Sequence, residues 1–185
     1  MNTRTREWLD ALHVNPREAI RTLLLLMLAV AIPSLGLPQY VTGPLVNALL
    51  IISVETMGLT RALWVGVAPS LVAWGTGVLP GSLLAMIPFI VAGNAVLTTA
   101  FATLRRINYW LGIAVGALLK CAWLWLAVTF ATVRPFSLQM DGAVREILIP
   151  PAMAQMLTWP QLVTALAGGV LAYGFLQALR IGRDR

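Results

Sequence analysis

The sequence predicts an all-α integral membrane protein: a bundle of six transmembrane helices with both termini on the cytoplasmic side. Three observations carry that reading. The chain is 59% hydrophobic and only 11% charged, with a mean hydropathy of +0.83, whereas soluble domains carry about 25% charged residues. Such a chain cannot cover itself with polar surface and needs lipid as its solvent. The few charges are also segregated: residues 22–54, 62–104 and 147–179 contain none, and 107–133 contain only Lys120. Finally, the arginines alternate with the apolar runs in the manner of topology signals.

A helix needs about 20 apolar residues to cross a bilayer. The run 22–54 is too long for one span and breaks across Pro33, Gly36, Pro38 and Gly43-Pro44. The run 62–104 breaks at "GTGVLPGS", residues 75–82, and the run 147–179 breaks at Pro150-Pro151 and Pro160. Proline and glycine are the strongest local punctuation, so helices are expected near 20–36, 43–56, 62–77, 82–104, 109–133 and 160–180, the second being the shortest. Pro44 is expected at the first position of that helix, where its missing N–H costs nothing.

With six spans and a cytoplasmic N-terminus, the inner segments hold Arg4, Arg6, Arg17, Arg21, Arg61, Arg105, Arg106, Arg180, Arg183 and Arg185. The outer segments hold only Arg134 and Arg145. This asymmetry sets orientation and supports the helix count. Residues 1–19 are then a cytoplasmic segment, 20–180 the membrane domain and 181–185 a cytoplasmic tail. Ala29-Val30-Ala31 imitates a signal-peptide cleavage site, but Glu7, Asp10 and Glu18 precede it, so a retained first helix is expected. The extracellular segment 134–159 has apolar stretches too short to span. It is read either as a surface connector or as a cap over the bundle.

Lys120 is the residue that demands an explanation, because a charge at the centre of a span costs roughly 2.5–3.5 kcal/mol on insertion scales. It follows Gly116 by four residues, and Gly116 follows Gly112 by four. Residues so spaced share a helix face, and small residues mark faces where helices approach closely. Lys120 is therefore expected to point into the bundle, roughly 15 Å from the cytoplasmic end of its helix. No span contains an acid to pair with it, since Glu55 sits at a helix end.

Other polar residues reach similar depth or crown the outer side. Asn94 lies deep in its helix with Thr98 one turn on. Asn47 lies one turn into the second helix, with Gln39 and Thr42 at its entrance. Ser70 and Trp123 complete the set, Trp123 being one turn outward from Lys120. As a pocket open to the outside, these groups suit an anionic or carbonyl-bearing ligand. As packing elements, Asn47, Asn94 and Thr98 are interhelical hydrogen bonds of about 0.6 kcal/mol each.

Several classes are disfavoured. The basic residues form no patch with interleaved aromatics, so no nucleic-acid partner is expected. His13 and Cys121 are the only residues of their kinds, so no His/Cys metal site or other cofactor is expected, and Cys121 reads as a small packing residue. No G-x-x-x-x-G-K-[ST] loop, H-E-x-x-H or G-x-S-x-G occurs, and no span holds the acid of a proton-coupled carrier. The chain is not expected to be an enzyme. A weaker reading makes Lys120 an intramembrane nucleophile.

The phrases "TGPLVNALLI", "LPGSLLAMIPFIVAGNAVL", "ALLKCAWLWLA" and "TWPQLVTALAGGVLAY", in a six-helix chain of this length, resemble the substrate-binding S component of energy-coupling factor (ECF) transporters. The resemblance covers roughly residues 20–180 and points to a subgroup whose substrate is unknown. It implies a multi-pass subunit of a prokaryotic cell membrane that captures a vitamin-like or other small organic molecule from outside. A transmembrane coupling subunit and two ATPase subunits would drive uptake. The first helix, "TLLLLMLAVAIPSLG", departs from the family's A-x-x-x-A docking pattern. His13 does not match the N-terminal Met-His arrangement of the metal-transporting members. The competing expectation is a small structural or accessory membrane protein without its own ligand.

Overall fold

A computed structural model describes residues 16–75, 85–133, 136–140, 143–147 and 149–183. Helix α1 spans Pro16–Ser34, α2 Gln39–Met57, α3 Leu59–Gly75, α4 Ile87–Leu104 and α5 Tyr109–Val133. Strands β1 (Phe136–Met140) and β2 (Ala143–Ile147) follow, then a short helix α6 (Pro151–Met156) and the long α7 (Trp159–Arg183). Most of the expected 1–19 segment and the 75–82 break lie outside the described residues.

The helix ends have local causes. Gly36 at φ +65° closes α1, and Gly58 at φ +82° is the only residue between α2 and α3. Both sit in the left-handed region where glycine carries no steric penalty. Asn108 caps α5, its Oδ1 accepting from the N–H of Trp110 at 2.8 Å and of Leu111 at 3.1 Å. Free helical N–H groups are satisfied in this way.

The second helix departs from expectation. It has 19 residues against 17 for α3, so it is not the shortest, and it begins at Gln39 rather than near 43. Pro38, not Pro44, stands at its start, and Pro44 lies inside the helix. An internal proline deprives the carbonyl four residues back of its donor. Here that residue is Tyr40, in the first turn and exposed, where the loss is small. The fourth helix is described only from Ile87, preceded by a turn at 85–86.

Helix α2 is the axis of the bundle. Asn47 to Val54 are buried without interruption, as befits a helix that is apolar all round, and it packs against α1, α3, α4 and α7. Helix α5 packs on α4 and α7. Small residues set these approaches. A Cβ on Gly116 would meet the Leu97 carbonyl at 3.1 Å, and one on Gly168 would meet the Pro44 carbonyl at 2.8 Å. Outward faces carry large apolar side chains, among them Leu118, Trp125, Leu126 and Phe130 on α5 and Val170, Leu171 and Phe175 on α7, all exposed. Four helical stretches are long and apolar enough to cross a membrane: α2, α4, α5 and the stretch Pro151–Leu179, while Leu59–Val72 is a shorter apolar helix. This is a helical, multi-pass membrane protein.

The segment after α5 is partly structured. β1 and β2 form an antiparallel hairpin with Phe136 opposite Ile147. Beyond it, Ile149 and Leu157 are buried against Met86, Val128 and Ala131, so residues 149–157 close over the adjoining ends of α4 and α5. This end of the bundle is here termed the hairpin end. The opposite one, with Arg61, Arg105 and Arg106, is the arginine end.

Candidate functional site

Lys120 points into the bundle. It is 3% exposed, and its Nζ donates to Asn47 Oδ1 at 2.7 Å and to Asn94 Oδ1 at 2.9 Å. Each asparagine is anchored on its other side. Asn94 Nδ2 donates to the Gly66 carbonyl at 3.2 Å, and Asn47 Nδ2 reaches Thr164 Oγ1 at 3.5 Å. The Thr164 hydroxyl in turn donates to the Gln161 carbonyl at 3.2 Å. One ammonium thus ties together α2, α3, α4, α5 and α7. The amides have no freedom to flip here, because a lysine donor requires the carbonyl oxygens to face it.

The local sequence explains the convergence. Gly112 and Gly116 let α5 lie against Phe101 and Leu97 of α4, bringing Lys120 within reach of Asn94. Gly168 lets α7 lie against α2 beside Asn47, one turn from Thr164. Gly66 leaves room on α3, since a Cβ there would stand 3.4 Å from Asn94 Cβ.

A cavity of about 290 Å³ opens from this centre toward the hairpin end. Gln39, Thr42, Asn47, Ser70, Asn94 and Lys120 line it. Of the residues singled out in the sequence, Thr98 and Trp123 stand apart. Thr98 is buried one turn beyond Asn94, its hydroxyl donating back to the Asn94 carbonyl at 2.9 Å. Trp123 lies three residues from Lys120, and three residues on a helix leave a rotation of about 60° short of a full turn. Its ring swings to the outer edge of α4, where Nε1 donates to the Phe89 carbonyl at 2.9 Å and the residue stays 38% exposed. Gln39 lines the cavity mouth and donates to the Met156 carbonyl at 3.1 Å.

Two polar residues of the site carry no mark in the sequence reading: Gln161, which lines the cavity, and Thr164, which holds Asn47. The signal was present. Thr164 precedes Gly168 by four residues, the same pairing of polar and small residues on one face that marks Lys120.

The electrostatics are lopsided. Among the described residues the ion pairs are Arg61–Glu18 and Arg105–Glu55, both at the arginine end. No described carboxylate meets Lys120. Its partners are two neutral amide dipoles, which use two of the three N–H bonds of an ammonium. A cation so placed at the floor of a cavity favours a carboxylate, a phosphate or a polarised carbonyl, to which charge-assisted hydrogen bonds are roughly twice as strong as neutral ones. Comparison with family models, curated proteins and solved structures finds no match for this chain.

Proposed function

We propose that the chain is the substrate-binding subunit of an ECF-type importer. It crosses a prokaryotic cell membrane six times with both termini cytoplasmic, and it takes a small organic molecule from the outer side. It performs no chemistry itself. Accumulation depends on a transmembrane coupling subunit and two ATPase subunits. The observation that carries this reading is Lys120, a buried cation at the floor of a polar-lined cavity with only amide oxygens as partners. The arginine asymmetry and the four family-like phrases support it. The cavity of about 290 Å³ sits near the lower limit of ordinary ligand pockets, which favours a compact ligand with one anionic or strongly electron-rich group. Gln39, Thr42, Ser70 and Gln161 supply its remaining polar contacts.

The test is ligand-dependent behaviour of the purified chain. Native mass spectrometry of gently purified protein identifies a co-purifying molecule, which is then titrated against wild type and Lys120→Met. Affinity is expected to fall more than tenfold, about 1.4 kcal/mol, while the melting temperature of the empty variant holds or rises. Unchanged affinity with a lowered melting temperature overturns the assignment.

One observation favours a second reading. Lys120 and both asparagines already bond one another, which suits a staple holding the helices of an accessory membrane protein with no ligand. That reading predicts no stabilising molecule and a clear loss of stability in Lys120→Met.

A further inference from the structure

We propose that the arginine end holds a second binding site, for an anionic phospholipid of the adjoining leaflet. Two concavities meet there. One, of about 320 Å³, is lined by Arg105, Arg106, Glu55, Tyr109, Tyr173 and Gln177. The other, of about 730 Å³, is an apolar groove between α1 and α7 over α2, walled by Leu24, Leu28, Ile52, Phe175 and Leu179, with Arg21 among its polar lining residues. They share Glu55 and Leu176, so a head group in the first is continuous with an acyl chain in the second.

Charge complementarity selects the occupant. Glu55 accepts from Arg105 Nη1 at 2.7 Å, which accounts for one positive charge. Arg106 is exposed at the same cavity with no described ion pair. Arg105 Nε is the one buried side-chain nitrogen or oxygen among the described residues without a hydrogen-bond partner. The cavity therefore keeps a net positive charge after its internal pair is formed. Arg21 adds another charge beside it, donating to the Thr56 carbonyl at 3.2 Å.

Depth selects a lipid. Tyr109, Trp110 and Tyr173 pack ring against ring at centroid distances of 5.0–5.3 Å, and the Tyr109 hydroxyl donates to the Gly169 carbonyl at 2.9 Å. Clustered tyrosine and tryptophan mark the level of the lipid head groups. A basic cavity between helices at that level is suited to an anionic head group, and the groove beside it to a hydrocarbon tail. A neutral zwitterionic lipid fits the groove but does not use the charge.

This site is independent of the cavity at Lys120, so its test needs no knowledge of that ligand. Full-length protein in a neutral maltoside detergent is mixed with dioleoyl phosphatidylglycerol, dioleoyl phosphatidylcholine or free glycerol phosphate. Native mass spectrometry reads bound lipid, and thermal denaturation reads stabilisation. The anionic lipid is expected to be retained preferentially and to raise the melting temperature above the phosphatidylcholine level. Arg106→Gln is expected to weaken that preference about fivefold, and Gln177→Glu, which places a negative charge in the cavity, is expected to weaken it too. Arg61→Gln, at the same end but paired with Glu18 outside both concavities, leaves it unchanged. Equal retention of the two lipids overturns the proposal. So does an equal effect of Arg61→Gln and Arg106→Gln, which would mean diffuse attraction to a basic end. Stabilisation by glycerol phosphate matching that by the lipid overturns the lipid assignment in favour of a free phosphate.

Discussion

The arginine end and the centre of this bundle handle positive charge in opposite ways. At the arginine end, Arg61 meets Glu18 at 2.6 Å and Arg105 meets Glu55 at 2.7 Å, all four side chains at least one-fifth exposed. In the middle of α5, Lys120 is 3% exposed and has two neutral amide oxygens instead of a carboxylate. Water and head groups reach the first set, so an acid there is an inexpensive partner and the pairs fasten helix ends. Inside the bundle an acid would neutralise the lysine completely and leave nothing to attract a ligand. Amide oxygens hold the ammonium in place and leave its charge uncancelled. Under the proposed function, the contrast separates charge used for anchoring from charge kept for binding.

The sharpest way to break that contrast is to remove one amide. Asn94→Leu takes away an acceptor from Lys120 and a donor from the Gly66 carbonyl. A hydrogen bond to a charged group contributes about 1.5–3 kcal/mol, whereas a neutral interhelical bond in a membrane averages about 0.6 kcal/mol. Asn94→Leu is expected to destabilise the protein by the larger amount, measured by reversible unfolding in mixed micelles. Adding Lys120→Met is expected to restore most of the loss, since it removes a buried charge left with Asn47 as its one described acceptor. A loss near 0.6 kcal/mol without rescue would make Asn94 an ordinary packing contact and erase the contrast.

Much of this was legible in the sequence, for reasons that particular residues make plain. The Gly112–Gly116–Lys120 spacing foretold the inward lysine because helical periodicity and close approach are local properties. The uncharged runs marked the apolar helices because lipid tolerates so few charges. The start of α2 was not legible: Pro38 and Pro44 both suit a helix start, and the structure begins the helix at the earlier one, where the Pro38 carbonyl accepts from the N–H groups of Val41 and Thr42. Trp123 was misplaced because a three-residue step was treated as a full turn. The partners of the two asparagines were hidden for a different reason. Which amide hydrogen goes to Gly66 or Thr164 depends on how α3 and α7 pack, and no local pattern encodes that.

At the arginine end, Glu55→Gln sharpens the comparison by removing a charge while keeping an acceptor. Arg105 is then left with less compensation, but its side chain is 28% exposed and solvent screens what remains. A loss of about 1 kcal/mol is expected, with ligand affinity at the Lys120 cavity unchanged. A drop in that affinity would show the arginine end and the Lys120 centre to be coupled, and charge used for anchoring would no longer be separable from charge used for binding.

The smallest effect belongs to Glu18→Gln. Glu18 and Arg61 join the start of α1 to α3 at 2.6 Å, and their side chains are 46% and 40% exposed. Exposed pairs contribute roughly 0.2–1 kcal/mol, because water weakens the attraction and two long side chains must be held still. Glu18 also lies in the first turn of α1, where a negative charge interacts favourably with the helix dipole by about 0.3–1 kcal/mol. The substitution removes both contributions, and both are screened by salt. The expected result is a small loss of stability at low ionic strength that shrinks as salt is raised, whereas the Asn94→Leu loss persists because what it removes is a short, buried hydrogen bond rather than an exposed ion pair. Unfolding each variant at about 0.01 M and 1 M salt reads the difference, the Debye length falling from about 30 Å to 3 Å between them. If the Asn94→Leu loss faded with salt as steeply as the Glu18→Gln loss, the contacts of Lys120 would be no better shielded than those of the arginines, and the distinction between the arginine end and the centre of the bundle would fail.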